Sequence, residues 1–222
     1  TLPTGEVLTT QVASNGTWSA TPTTPLANGL NNILVTATDP AGNTSAATTV
    51  PVVIDTVAPS APTVALPEAP NSVNASEAQS SGGTPIVTTL PADAKVGDVV
   101  TTVVTQPNGT TLTLTTTLTA ADLPPAQGGT ASGSGPFTVS QVIPSSALTA
   151  SNNGNWTTST TLTDAAGNTS PAAPGSFVLD TVAPNAPTAV LANSSNSGSL
   201  VDNITSDNTP TISGSGAIPG DT

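Results

Sequence analysis

Two copies of one polar heptapeptide hold the side chains best suited to chemistry. Asp39-Pro-Ala-Gly-Asn43-Thr-Ser45 returns as Asp164-Ala-Ala-Gly-Asn168-Thr-Ser170. Sixteen residues after each leading aspartate comes Asp-Thr-Val-Ala-Pro, at Asp55–Pro59 and Asp180–Pro184. Loop and linker both recur at an offset of 125, so they move as one unit, the mark of a tandem array. Carboxylate and carboxamide oxygens at this spacing support two chemistries. They can ligate a hard cation, or they can bond the local backbone of a turn in which Gly42 or Gly167 takes positive φ. Both readings stay open for Asp39, Asn43, Asp55, Asp164, Asn168 and Asp180. They also stay open for Glu77, Asp202 and Asp207, while Asp93, Asp98, Asp122 and Asp221 read as solvated turn residues.

The rest of the composition narrows the field. Thirteen carboxylates face one cation, Lys95, for a net charge of −12. Nucleic acid and anionic membrane surfaces need basic patches, so neither is a partner. No apolar run reaches the roughly 18 residues that span a bilayer, so no direct membrane insertion is expected. Cysteine and histidine are absent, which removes disulfides, zinc–thiolate sites and thiol or imidazole catalysis. With no nucleophile motif and no acid beside an aromatic cleft, the chain does not read as an enzyme.

Pro and Gly make up 41 of 222 residues, below the level of low-complexity chains. Apolar residues are arranged as strands: Val99-Val-Thr-Thr-Val-Val104 and Thr111-Leu-Thr-Leu-Thr-Thr-Thr-Leu-Thr119 are β-branched and largely alternating. Residues 61–179 carry seven such runs, at 61–66, 84–90, 98–105, 110–118, 136–143, 155–163 and 175–179. Seven strands with frequent turn signals predict an all-β fold, an immunoglobulin-like Greek-key sandwich of two antiparallel sheets. Residues 1–56 read as the C-terminal part of a domain, with strands at Glu6–Val12, from Trp18, at Ile33–Thr38 and at Thr49–Ile54. Residues 57–182 read as a complete domain. Residues 183–222 read as the N-terminal part of the next, with strands at 187–191 and near Thr209–Gly214.

Sandwich geometry then places the polar loops. The loop before the last strand lies where the chain comes in, and the loop after the first strand lies where it leaves. Asp164 and Asn168 should therefore sit beside the linker carrying Asp55, and Glu77 beside the linker carrying Asp180. Two carboxylates ~4 Å apart repel by about 1 kcal/mol in water and by ~4 at an effective dielectric of 20. Calcium removes that repulsion and accepts six to eight oxygens in flexible geometry, which magnesium does not.

The ordered set Asn-Gly-x-Trp (15–18 and 153–156), Asp-x-Ala-Gly-Asn-Thr-Ser (39–45 and 164–170) and Asp-Thr-Val-Ala-Pro (55–59 and 180–184) resembles the bacterial immunoglobulin-like repeats of giant biofilm adhesins exported by type I secretion. Val73-Asn-Ala-Ser-Glu-Ala78 and Asp202-Asn-Ile-Thr-Ser-Asp207-Asn-Thr-Pro210 extend the likeness. The resemblance implies an extracellular stalk on the bacterial cell surface, with calcium stiffening the junctions between neighbouring repeats of the same chain. One departure is that Trp18 lies 21 residues before Asp39 while Trp156 lies 8 before Asp164, which suggests two repeat subtypes. Two alternatives remain. One is a glycan- or receptor-binding module, in which Trp18, Trp156 or the Thr-x-Thr array contacts ligand. The other is a self-associating subunit whose part-domains complete each other between copies of the protein.

Overall fold

Alternating β-branched residues become strands wherever a partner can cover one face. The computed structural model describes residues 1–68, 72–131, 135–199 and 201–217. Its strands, in chain order, are β1 (Gly29–Val35), β2 (Thr48–Ile54), β3 (Thr63–Ala65), β4 (Gly83–Thr89), β5 (Val99–Thr105) and β6 (Thr111–Thr117). After these come β7 (Thr138–Pro144), β8 (Gly154–Thr163), β9 (Ala173–Leu179), β10 (Thr188–Leu191) and β11 (Ile212–Ser215). One short α-helix, α1 (Ala75–Gln79), follows β3.

Strands β3 to β9 form the expected sandwich. One sheet has the order β3-β4-β7 and the other β6-β5-β8-β9, all pairs antiparallel. All seven strands expected between 61 and 179 are present, with boundaries within two residues. After β3 the chain crosses sheets, and Val73 pairs in parallel with Leu179 at the edge of β9.

Inward residues fill the core in two apolar groups. One gathers Ile86, Val104, Ile143 and Leu179 around Trp156 and Phe177, whose rings stack with centroids 5.5 Å apart. The indole N–H of Trp156 donates to the Asn152 carbonyl at 2.9 Å. The other group gathers Leu90, Val100, Leu118, Leu123, Val139 and Leu162. Between them lies a polar belt. The hydroxyls of Thr102 and Thr160 bond across β5 and β8 at 2.8 Å, and Gln141 Nε2 donates to Thr116 Oγ1 at 3.1 Å.

Outside the sandwich, β1 pairs with β2 and β10 with β11. The first pair duplicates β8–β9. Gly29 faces Ile54 as Gly154 faces Leu179, and Val35 faces Thr48 as Thr160 faces Ala173, every position shifted by 125. By this register the counterpart of Trp156 is Asn31, and that of Asn153 is Asn28. Trp18 is therefore not the counterpart of Trp156, and it is 53% exposed. Glu6–Val12 is not a strand either. Alternation alone does not suffice there because no sheet covers Val7 or Val12, which stay exposed. Glu6 instead binds the Thr23 and Thr24 backbone amides through its two carboxylate oxygens, at 3.1 Å each.

The Thr102–Thr160 pair yields a sharp expectation. Thr102→Val alone strands a buried hydroxyl and should cost about 1–3 kcal/mol in urea unfolding. Thr102→Val with Thr160→Val should recover most of that loss. Additive losses from the two single changes would contradict the assigned bond.

Candidate functional site at the linkers

The Asp164 loop is built by its own side chains. A bridge between Thr163 and Thr169 closes it, and Gly167 takes φ +91°. Asp164 Oδ1 accepts from the backbone amides of Ala166 and Asn168, both at 2.9 Å, while Oδ2 accepts from Asn168 Nδ2 at 2.9 Å. The Asp39 loop repeats these bonds, with Ala41, Asn43 and the Asn43 amide at 2.9, 2.8 and 2.8 Å. The Asn168 side chain holds the Asp164 carboxyl below its ordinary range, and Asn43 does the same for Asp39. Turn chemistry is thus made in full at both loops. It leaves lone pairs on each carboxylate, because one oxygen can accept more than one contact.

Asn168 also reaches beyond its loop. Its Nδ2 donates to the Asp55 carbonyl at 3.1 Å, bringing Asp55 beside Asp164 as the sequence led us to expect. Five residues on, the Ser60 amide and hydroxyl both donate to Asp93 Oδ2 at 2.9 Å. Pro59 and Pro62 are buried between and beyond these contacts. Just upstream, Thr56 Oγ1 donates to Asn28 Oδ1 at 2.9 Å. The linker is therefore held from both sides.

Asp55, Asp93, Asp98 and Asp164 line one cleft of about 220 Å³ together with Lys95. Asp93 and Asp98 were not expected here. Asp98 is 2% exposed rather than solvated, and its Oδ2 accepts from the Lys95 amide at 2.8 Å. Burial pushes the Asp98 carboxyl up, and the Asp164 and Asp93 carboxylates add to this against the Lys95 contacts. At Asp93 burial also opposes ionisation, but the Ser60 bonds outweigh it and hold that carboxyl down. The signal was available in principle. The β4–β5 and β8–β9 loops share one end of such a sandwich, so residues 93–98 belong with residues 164–168.

At the other end, Asp180 starts the second linker. Its Oδ1 accepts from the Val182 amide at 3.1 Å and from Asn153 Nδ2 at 3.3 Å, and Thr181 Oγ1 donates to Asn153 Oδ1 at 3.0 Å. Glu77 lies at this end, because the Val73 carbonyl accepts from the Asp180 amide at 2.9 Å and α1 begins two residues later. Glu77 caps that helix, accepting from the Asn74 amide at 2.9 Å. Asp202 and Asp207 make local turn bonds, to the amides of Ile204 at 3.1 Å and Thr209 at 2.9 Å. Asp122 likewise caps a short turn at Thr119, and Asp221 lies outside the described residues.

Among the described residues no three His, Cys, Asp or Glu side chains converge on a single metal position. The donor chemistry of the leading cleft still fits a hard cation: four carboxylates face one lysine, and one carboxylate is buried. Trp156, being fully buried, offers no surface on which a sugar could stack.

Residues 2–56 match the family model of a bacterial Ig-like domain. No curated protein matches the chain. Three solved structures are similar to it. The first is a Ca2+-stabilized adhesin that helps an Antarctic bacterium reach out and bind ice, at 28% identity over 74% of this chain and 35% of that one, TM-score 0.36. The second is a tetra-tandem repeat in the extending region of a large adhesion protein, at 22% identity over 81% of this chain and 39% of that one, TM-score 0.41. The third comes from a 1.5-MDa bacterial ice-binding adhesin, at 22% identity over 74% of this chain and 46% of that one, TM-score 0.33. The chain spans between about a third and a half of the length of these relatives.

The two kinds of aspartate in the leading cleft should titrate oppositely. Asp98 is raised when folded, so its ionisation opposes folding once pH climbs above its folded value, and the effect vanishes below the unfolded value of 3.8. Asp164 is lowered, so it stabilises the fold above 3.8 and loses that contribution as pH falls through its folded value. Asp98→Asn should therefore raise Tm at pH 7, and Asp164→Asn should lower it. Near pH 2.5 both differences should shrink, as read by thermal unfolding without added metal. A lowered Tm for Asp98→Asn at pH 7 would contradict the assigned repulsion.

Proposed function

We propose that the chain is an extender segment in the stalk of a bacterial cell-surface adhesin that serves biofilm formation or surface attachment. In this reading residues 57–182 are one complete repeat, 1–56 the back part of another and 183–222 the front part of the next. The observation that carries it is the linker held from both sides: Thr56 on Asn28 behind, Asp55 on Asn168 and Ser60 on Asp93 ahead. A free linker would let successive repeats swivel. One pinned at residues 55, 56 and 60 transmits direction, so repeats add reach in line, each contributing a few tens of ångströms from its strand length.

Calcium suits the leading cleft. Asp55 and Asp164 would hold it, with Asp93 and Asp98 beside them and backbone carbonyls completing an oxygen shell. The ion would neutralise the repulsion that now falls on Asp98. At extracellular millimolar concentrations such a site contributes on the order of 1 kcal/mol, modest for a domain but enough to narrow the swing of a clasped linker. Asp180 and Glu77 would serve the following junction in the same way, and Asp39, Asn43, Asp202 and Asp207 would face other repeats.

Thermal unfolding and small-angle scattering at low protein concentration test both parts. Calcium, with magnesium as the control, should raise Tm and lengthen the particle, and Asp55→Asn with Asp164→Asn should remove that response. Asn168→Ala should broaden the distance distribution even without calcium. A particle equally flexible with and without Asn168 would defeat the extender reading, whereas a missing calcium response would defeat only the metal.

A further inference from the structure

Asparagine is followed by glycine at 15–16, 28–29, 108–109 and 153–154. Such a pair is open to one spontaneous reaction, because no side chain shields the glycine nitrogen. That nitrogen attacks Asn Cγ, the new N–Cγ bond closes a cyclic imide, and Nδ2 leaves as ammonia with the proton that the nitrogen gives up. Water then opens the imide at either carbonyl, leaving aspartate or isoaspartate. Nothing is oxidised or reduced, and water is the only co-reactant.

Two of the pairs occupy turns. Asn15 and Asn108 are exposed, and each accepts through Oδ1 from the amide two residues on, at 3.1 and 2.8 Å. These bonds are local and hold no distant segment.

Asn153–Gly154 is placed differently, where β8 begins and the second linker starts. Asn153 Oδ1 accepts from the Thr181 amide at 3.2 Å and from its hydroxyl at 3.0 Å, while Nδ2 donates to Asp180 Oδ1 at 3.3 Å. Gly154 faces Leu179 on the first rung of β8–β9. On either side of Leu179, the Val178 carbonyl and the Asp180 amide turn away to Val73, at 2.8 and 2.9 Å. Alternate residues of a strand point their amide and carbonyl to opposite neighbours, so those of Leu179 meet Gly154. Glycine is itself required at 154, where φ is +131° and a Cβ would lie 3.2 Å from Pro107 Cγ. Residues 179–181 therefore hold both the attacking nitrogen and the carboxamide it attacks. Asn28–Gly29 duplicates the arrangement at the first linker, with Gly29 facing Ile54 and Thr56 Oγ1 donating to Asn28 Oδ1 at 2.9 Å.

We propose that Asn153–Gly154 is a deamidation site guarded by the second linker, inert while the linker is clasped and converted once it swings free. Release of residues 179–181 frees both reacting groups together. Conversion then keeps the clasp from re-forming as it was. The carboxylate that replaces the amide faces Asp180 with no hydrogen to donate. Isoaspartate also adds a methylene to the main chain just before the Gly154–Leu179 rung. A junction that stays open long enough is thereby left loose. The reaction depends on the clasp and not on calcium.

Peptide mapping by mass spectrometry tests this on the full chain, aged in mildly alkaline buffer. It follows the amide-to-acid mass gain at Asn153, with Asn108 as the unguarded reference. In the native chain Asn153 should convert at least about tenfold more slowly than Asn108, the factor that one or two ordinary hydrogen bonds supply. Thr181→Pro removes the amide and the hydroxyl that hold Oδ1. It should bring Asn153 close to the Asn108 rate and leave Asn108 unchanged. Thr181 lies outside the sandwich strands, whose melting serves as the control for folding. Small-angle scattering should show a broader distance distribution as Asn153 converts, and Asn153→Gln, whose longer side chain closes no such ring at a comparable rate, should age without that change. Native Asn153 reacting as fast as Asn108, an Asn153 rate untouched by Thr181→Pro, or the same scattering before and after conversion would overturn the proposal.

Discussion

A single carboxamide sets the geometry of the junction. Asn168 donates through Nδ2 to the carboxylate of Asp164, four residues away, and to the backbone carbonyl of Asp55, 113 residues away. The first bond makes the turn rigid and the second ties that turn to the incoming linker. A planar amide with two fixed hydrogens can serve both at once, which a hydroxyl with one hydrogen cannot. Positioning of Pro59, Ser60 and the start of β3 follows from this tie. The first strand then enters the sandwich at a defined place.

Charge at the junction works against that tie. Four carboxylates line the cleft and Lys95 is the only cation in the sequence, so the folded state there carries a cost that turns, caps and one lysine only partly offset. Hydrogen bonds stabilise Asp93 and Asp164 as anions, while burial leaves Asp98 disfavoured. In the proposed stalk, a cation taken up here would relieve that imbalance.

The core follows from the same economy of composition. With two Trp, two Phe and no Tyr or Met, few large side chains are available to fill the sandwich. Trp156 and Phe177 supply the bulk at one end and aliphatic residues the other. The middle is closed by threonine and glutamine bonded to each other across the strands. Threonine fits a strand on either face, its methyl packing inward and its hydroxyl pairing, so outward and inward positions look alike in the sequence.

Strands β3 to β9 were legible because alternation and turn residues are local, and period two has one reading once a face is buried. Duplication of loop and linker was legible as identity, and it placed Asp55 beside Asp164 correctly. Other features depended on contacts distant in sequence. Asp98 is buried in a cleft that Asp55 and Asp164, both far away in the sequence, also line. The Asn-Gly pair occurs at both 15–16 and 28–29, and strand register decides that Asn28 answers to Asn153. Glu6–Val12 alternates but stays irregular, since a strand exists only when another strand or a packed face satisfies it. Local pattern sets what each segment can become, and long-range pairing decides which segments do.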